Sequence, residues 1–263
     1  MTNSTVLVSG ASRGLGAATA RITAQLGANV ALIARSEGDL KAVAEEIQGK
    51  GGQSLPLVGD VSQAEDCRRA VAETIGRFGQ LDAVVNNAGV LGPIAPIAEG
   101  QPEDWEKNWA VNVLGPVLLT QAALPHLRKR EGRVVSVSSG AAVKVIPGWA
   151  AYCTAKAALN HFTRLLAAEE PSITAIALRP GVVDTAMQAL IRRVGAKGMP
   201  AEVHDRFVRY HEEGELLPPE APGCTLAVLA LYVPHEWSGA FLPWDNKEVQ
   251  SLVRRYACSP GAA

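Results

Sequence analysis

The sequence predicts an α/β fold: a single domain over residues 1–263, built on one doubly wound parallel sheet with helices on both faces. Three observations predict it. Short runs that are apolar throughout alternate with longer amphipathic runs from residue 5 onward. A glycine cluster falls between the first apolar run and the first amphipathic one. No Ser/Gly/Pro linker, charge run or internal repeat divides the chain. Strands apolar on both sides belong to covered parallel sheets, and right-handed crossovers then wind helices onto both faces.

Taken in order, the apolar runs at 5–8, 30–33, 54–58, 83–85, 133–137 and 173–178 read as strands. Helices are expected near 15–27, 37–49, 63–78, 103–129 and 151–169. Pro56, inside the third run, cannot donate to a ladder and suits a sheet edge. After Pro180-Gly181 the rhythm breaks into short charged segments at 187–194 and 201–213, then Pro218-Pro219. Such an excursion, 185–219, reads as a lid or binding loop, and Phe207, Val208 and Tyr210 at helical spacing argue that it is folded.

The totals exclude several classes. A formal net charge of -1 does not suggest a polyanionic partner or a membrane surface, so neither nucleic acid nor a membrane is expected. Hydrophobic residues make up 48% of the 263, yet no uninterrupted apolar run reaches membrane-spanning length. Cys67, Cys153, Cys224 and Cys258 lack metal-ligand spacing, so no metal is expected and the thiols read as reduced. Residues 1–4 lead straight into the first strand, so no signal or transit peptide is expected, and the small-residue tail at 259–263 is expected to be mobile and not to be a peroxisomal address. The default location is the cytoplasm, and the expected partner is a small molecule.

The residues at the strand ends point to a dinucleotide. Gly10, Ser12, Arg13, Gly14, Leu15 and Gly16 lie in Ser9-Gly10-Ala11-Ser12-Arg13-Gly14-Leu15-Gly16, after the first strand and opening the first helix. Glycines there let backbone approach a pyrophosphate, whose charge a helix N-terminus favours. The second strand ends Ile33-Ala34-Arg35, without the Asp or Glu that takes the ribose hydroxyls of NAD. Arg35, with Arg13 from the other side, can pair with a 2′-phosphate, so NADP(H) is expected. Ser36 reads as an N-cap, with Glu37 and Asp39 in the first turn behind it. Asp60-Val61 ends the third strand, where Asp60 could accept from adenine or cap the next helix. Asn86-Asn87-Ala88-Gly89 ends the fourth, where amides can tie strands together and small residues let a cofactor lie close.

Tyr152 and Lys156 are four apart at the start of a helix, which sets the ammonium beside the phenol. A nearby cation stabilises phenolate and lowers a tyrosine pKa. Ser138-Ser139-Gly140 ends the fifth strand just upstream.

In sum of these motifs the chain resembles the short-chain dehydrogenase/reductase family over nearly its whole length. The landmarks are the glycine loop at 10–16, Asp60, Asn86-Asn87-Ala88-Gly89, Asn112, Ser139, Tyr152, Lys156 and Pro180-Gly181-Val182-Val183-Asp184-Thr185. The resemblance implies a Rossmann-like fold and a catalytic tetrad of Asn112, Ser139, Tyr152 and Lys156. Lys156 would hold the nicotinamide ribose and depress the Tyr152 pKa, Ser139 would donate to the substrate oxygen, and Tyr152 would protonate it. Asn112 would anchor a water linking Lys156 to solvent. Ser138 is expected to point into the sheet, and Pro180, Gly181, Val183 and Thr185 to border the cofactor.

A narrower resemblance, to sepiapterin reductase and benzil-reductase-like NADPH carbonyl reductases, rests on 148–153, 168–171, 184–188 and Ser238-Gly239-Ala240-Phe241. It implies reduction of ketones or vicinal diketones with aromatic or bulky apolar groups. Pro243 stands where a pterin-anchoring aspartate is expected, and Asp245 lies two residues beyond it. Trp149, Met187 and Trp244 are expected to line the substrate pocket. A β-ketoacyl thioester reductase and an alcohol-oxidising dehydrogenase are rivals in the same class; a non-catalytic NADP-sensing protein is the rival outside it. The resemblance also implies a homodimer or homotetramer. The long helix at 103–129 carries Val113, Leu114, Val117 and Leu118, and the Tyr152 helix carries Ala157, Ala158, Phe162 and Leu165, on more than one face; one face would pack on the sheet and the remainder on a second subunit.

Overall fold

Seven parallel strands make one sheet in a computed structural model that describes residues 4–257. They are β1 (Thr5–Ser9), β2 (Asn29–Ala34), β3 (Gln53–Val58), β4 (Ala83–Asn86), β5 (Arg133–Val137), β6 (Thr174–Arg179) and β7 (Phe241–Pro243), in the order β3-β2-β1-β4-β5-β6-β7. Order reverses between β1 and β4, which opens a crevice at the carboxyl edge of the sheet. Pro56 does lie in the edge strand β3, opposite Leu32. Cys258 and the tail at 259–263 lie outside the described residues.

The alternation of side chains along each strand divides the core. Val6, Val8, Val30, Leu32 and Val85 face one side, with α1 (Gly14–Gln25), α2 (Glu37–Gly49), α9 (Glu220–Tyr232) and α10 (Lys247–Ala257). Leu7, Ala31, Ile33 and Val84 face the other, with α3 (Ala64–Phe78), α5 (Gly115–Leu127) and α6 (Ala150–Glu169). Each fully buried aliphatic side chain contributes roughly 1.5–3 kcal/mol, so the two layers carry the stability of the fold.

The expected long helix is not continuous. α4 (Pro102–Trp109) passes through a widened π turn, Ala110–Leu114, into α5. Pro116 has no N–H for the Asn112 carbonyl four residues back, and Gly115 bonds instead to Ala110, five back. Taken together, 102–130 is long and apolar enough to cross a membrane, although no uninterrupted apolar run within it reaches that length. Leu119, Ala123 and Leu127 are instead fully buried against the sheet. The lid excursion folds as α7 (Ala186–Val194) and α8 (Ala201–Glu212), anchored by a bridge from Val183 to Leu217.

Candidate active site

The glycine loop and the end of β4 are built as one piece. Gly10 takes a left-handed conformation (φ +65°), and a Cβ there would lie 2.8 Å from the Ala88 Cα. At Gly16 a Cβ would overlap the Gly10 carbonyl oxygen and the Asn87 amide nitrogen. Asn87 donates its amide to the carbonyls of Ser9 (2.9 Å) and Gly10 (3.2 Å), and the Ser9 hydroxyl accepts from the N–H groups of Asn87 and Ala88. Of the two neighbouring amides, then, only Asn87 joins the strands. Asn86 donates to Thr120 on α5. α1 starts here with no acid in its first turn, so its positive end faces the crevice uncompensated.

That crevice is a cavity of about 840 Å³ running from Arg35 and Asp60 at one end to Trp149, Met187 and Ile191 at the other. Every residue expected to touch the dinucleotide lines it, from Gly10 through Thr185. Arg13 and Arg35 are exposed at its mouth. Arg35 is not a free cation: its guanidinium stands 3.6 Å from the Asp60 carboxylate. Asp60 also accepts from the backbone and hydroxyl of Ser62, making a turn rather than a helix cap, since Gln63 occupies the N-cap position. Ser36 does sit at the N-cap of α2, but its hydroxyl donates to Asp39 instead of accepting from backbone.

At the carboxyl end of β5 the cavity wall carries Ser138, Ser139, Tyr152 and Lys156. Ser138 is buried with its N–H on Leu178, whereas Ser139 is half-buried, its hydroxyl accepting from Ala141. Gly148 (φ +87°) turns the chain into α6, which presents Tyr152 and Lys156 one turn apart. Lys156 donates to the Val137 carbonyl at 2.8 Å, and its nitrogen lies 5.6 Å from the centre of the Tyr152 ring. Burial pushes the Tyr152 phenol up to about 12, partly offset by a hydrogen bond with Ser139. Burial pushes the Lys156 ammonium down to about 8. The expectation that the ammonium lowers the phenol is therefore corrected. Desolvation acts on both groups, and the ammonium directs its hydrogen bond to a carbonyl rather than to the phenol.

Asn112 is fully buried inside the π turn and does not line the cavity. It lies behind the wall: a Cβ on Gly89 would be 3.0 Å from Asn112 Oδ1 and 3.7 Å from Lys156 Nζ.

The substrate end is apolar. Trp149 stacks on Phe207 of α8 (5.0 Å between centres) and meets Tyr152 edge-on (5.9 Å). Thus α8 reaches Tyr152 through Trp149. Met187 lines the cavity with Gln188 and Ile191, which sequence reasoning missed. Their spacing on one face of a helix was the available signal. Trp244 is misplaced by the sequence reading: it packs on the sheet core, its indole nitrogen 2.9 Å from where a Gly181 Cβ would lie, and is not part of the cavity lining. Asp245 is exposed and does not line it either.

Comparison with known proteins agrees with this geometry. The family described as short chain dehydrogenase matches residues 4–194. An uncharacterized oxidoreductase of Schizosaccharomyces pombe is 40% identical over 243 residues, covering 92% of this chain and 96% of its own. A Saccharomyces cerevisiae benzil reductase ((S)-benzoin forming) is 34% identical over 256 residues, covering 93% and 97%. The crystal structure of a second Saccharomyces cerevisiae short-chain dehydrogenase/reductase superimposes with a TM-score of 0.91 at 36% identity, covering 95% and 99%. The parallel sheet, the glycine cradle and these matches together make the chain a member of the short-chain dehydrogenase family, an NAD(P)H-dependent oxidoreductase.

Proposed function

We propose that the protein reduces a ketone or vicinal diketone bearing an aromatic or bulky apolar group, with NADPH as hydride donor. The observation that carries this reading is the convergence of Ser139, Tyr152 and Lys156 on a cavity whose far end is walled by Trp149, Met187 and Ile191. The residues fit the cofactor. Gly10 and Gly16 leave no room for a side chain between loop and strand, α1 offers an uncompensated N-terminus, and β2 ends in an arginine rather than an acid. Arg35 and Arg13 would meet the 2′-phosphate, with Arg35 exchanging its long contact to Asp60 for a shorter, doubly charged partner.

The bound nicotinamide would supply the hydride to the carbonyl carbon. Tyr152, held neutral through the physiological range by burial, has the proton that the carbonyl oxygen needs. Ser139 donates to the same oxygen and stabilises the charge that develops on it. Lys156, buried at 3% exposure, would hold the ribose and renew the proton on Tyr152, and Asn112 behind Gly89 would link it onward. Substrates of this kind are also suggested by the name of the benzil reductase relative. A pterin is disfavoured, since Asp245 is exposed away from the cavity.

Oligomerisation is part of the reading. Leu114 and Leu165 are about half exposed (47% and 48%) on the two segments expected to meet a second subunit, and Trp109 at the end of α4 is exposed as well. The cytoplasm is the proposed location. The test is a panel of aryl diketones, aliphatic ketones, pterins and acyl thioesters followed by NADPH absorbance. Turnover restricted to thioesters, or faster with NADH, would reject the reading.

A further inference from the structure

We propose that Gln188 is a specificity-determining residue whose side-chain NH₂ donates to a second, unreacting oxygen on the substrate. A ketone that carries an acceptor oxygen beside the reacting carbonyl is then preferred over one that does not. The inference rests on the preceding reading, in which Tyr152 and Ser139 meet the reacting oxygen.

Gln188 stands near the start of α7 and lines the cavity between Met187 and Ile191. It is only 8% exposed, a degree of burial that glutamine seldom reaches without partners. Among the described residues neither end of its amide has one. Oε1 is the end that is enclosed, which leaves Nε2 as the polar atom open to the cavity. Arg192 Nη1, one turn further along α7, and Trp149 Nε1, in the adjoining apolar cluster, are enclosed and unpaired too, and both are donors. Surroundings that already hold donors favour the amide oxygen on the enclosed side. Turning the amide over would add two more N–H groups there.

The position of Gln188 relative to Tyr152 is set by a chain of contacts. The Arg192 carbonyl on α7 meets the His204 ring of α8 at 3.1 Å. Phe207, also on α8, stacks on Trp149 at 5.0 Å, and Trp149 meets Tyr152 at 5.9 Å. Met187 and Ile191, on either side of Gln188, pack in the same apolar cluster as Trp149 and Tyr152. A substrate with its reacting oxygen at Tyr152 therefore turns its remainder toward the wall that holds Gln188. An aromatic ring alone suits Met187 and Ile191 but leaves Nε2 without an acceptor. A neighbouring carbonyl oxygen, which only accepts, supplies one. A wall with a committed donor discriminates against the analogue lacking that oxygen, because the donor is then left unpaired.

The test compares kcat/KM for a diaryl 1,2-diketone with that for the diaryl ketone in which a CH₂ replaces the second carbonyl. NADPH binding is followed beside it by fluorescence. Gln188→Met keeps the length of the side chain and removes the NH₂. It should lower kcat/KM about tenfold or more for the diketone and less than about twofold for the monoketone, with the NADPH Kd changed less than about twofold. Retained monoketone turnover and NADPH affinity show that the variant is folded. Changes of the same size on both ketones, or none on either, would overturn the proposal and leave the reading of the site intact. A weakened NADPH Kd would overturn it by placing the amide against the cofactor. Wild-type protein that reduces neither ketone would reject the reading of the site, and the proposal with it.

Discussion

Burying the Lys156 ammonium should make the protein more stable as pH rises through the range where most proteins weaken. The side chain is 3% exposed and has a single protein hydrogen bond, to Val137. Its pKa falls from 10.5 to about 8. At about 1.36 kcal/mol per unit, enclosing the charge costs roughly 3 kcal/mol at neutral pH. Below pH 8 both folded and unfolded chains hold the proton and the cost is constant. Between 8 and 10.5 the unfolded chain holds more protons than the folded one, so stability climbs with pH. Tyr152 acts oppositely above pH 10, because the folded chain keeps a proton that the unfolded one has lost. Burial of the Cys67 thiol, which pushes its pKa from 9.0 to about 11, acts in the same direction as Tyr152 from pH 9 upward. It is common to wild type and a Lys156 variant, so their difference reports the ammonium between pH 8 and 10. Urea unfolding of wild type and Lys156→Met across that window isolates the group. The stability advantage of the methionine variant should shrink by about 2–3 kcal/mol from the lower end to the upper. Parallel stability curves would refute the reasoning and show that the ammonium is not desolvated.

Three further outcomes follow from the geometry. Gly16→Ala should cost on the order of 1–3 kcal/mol, because the methyl displaces the Asn87 amide from the Gly10 carbonyl; thermal unfolding reads the loss, and NADPH binding should weaken with it. Arg35→Asp combined with Arg13→Gln should reverse the preference between NADPH and NADH in kcat/KM; an unchanged preference would remove the phosphate assignment. Trp149→Ala and Met187→Ala should each raise KM for an aryl diketone by about tenfold or more and less for a small aliphatic one, and equal effects would indicate general loss of packing instead.

Legibility in the sequence followed local signal strength. The six apolar strands and the glycine loop were readable because continuous apolar runs and glycine spacing are local properties. β7 escaped because it is three half-buried residues at an edge. α9 escaped because it is apolar nearly all round, so it carries no helical period. The break in the long helix was written in Pro116, yet a proline two residues into a helix reads equally as a start. Trp244 was misplaced because an aromatic near the C-terminus looks the same whether it faces a cavity or the underside of a glycine turn. Pairing between Arg35 and Asp60 joins the ends of β2 and β3, and only the register of the sheet brings those ends together. The Tyr152 pKa went wrong for a related reason: spacing along a helix reports the neighbouring charge, but not the degree of burial that outweighs it.

The central claim is that Tyr152 supplies the proton for a carbonyl reduced by NADPH. Steady-state consumption of NADPH with an aryl diketone, measured for wild type and Tyr152→Phe beside a fluorescence titration of NADPH binding, tests it most directly. The account predicts a kcat lower by about 100- to 10,000-fold in the variant, with the NADPH dissociation constant changed by no more than about threefold. A variant that turns over within about tenfold of wild type would place the proton donor elsewhere and contradict the account.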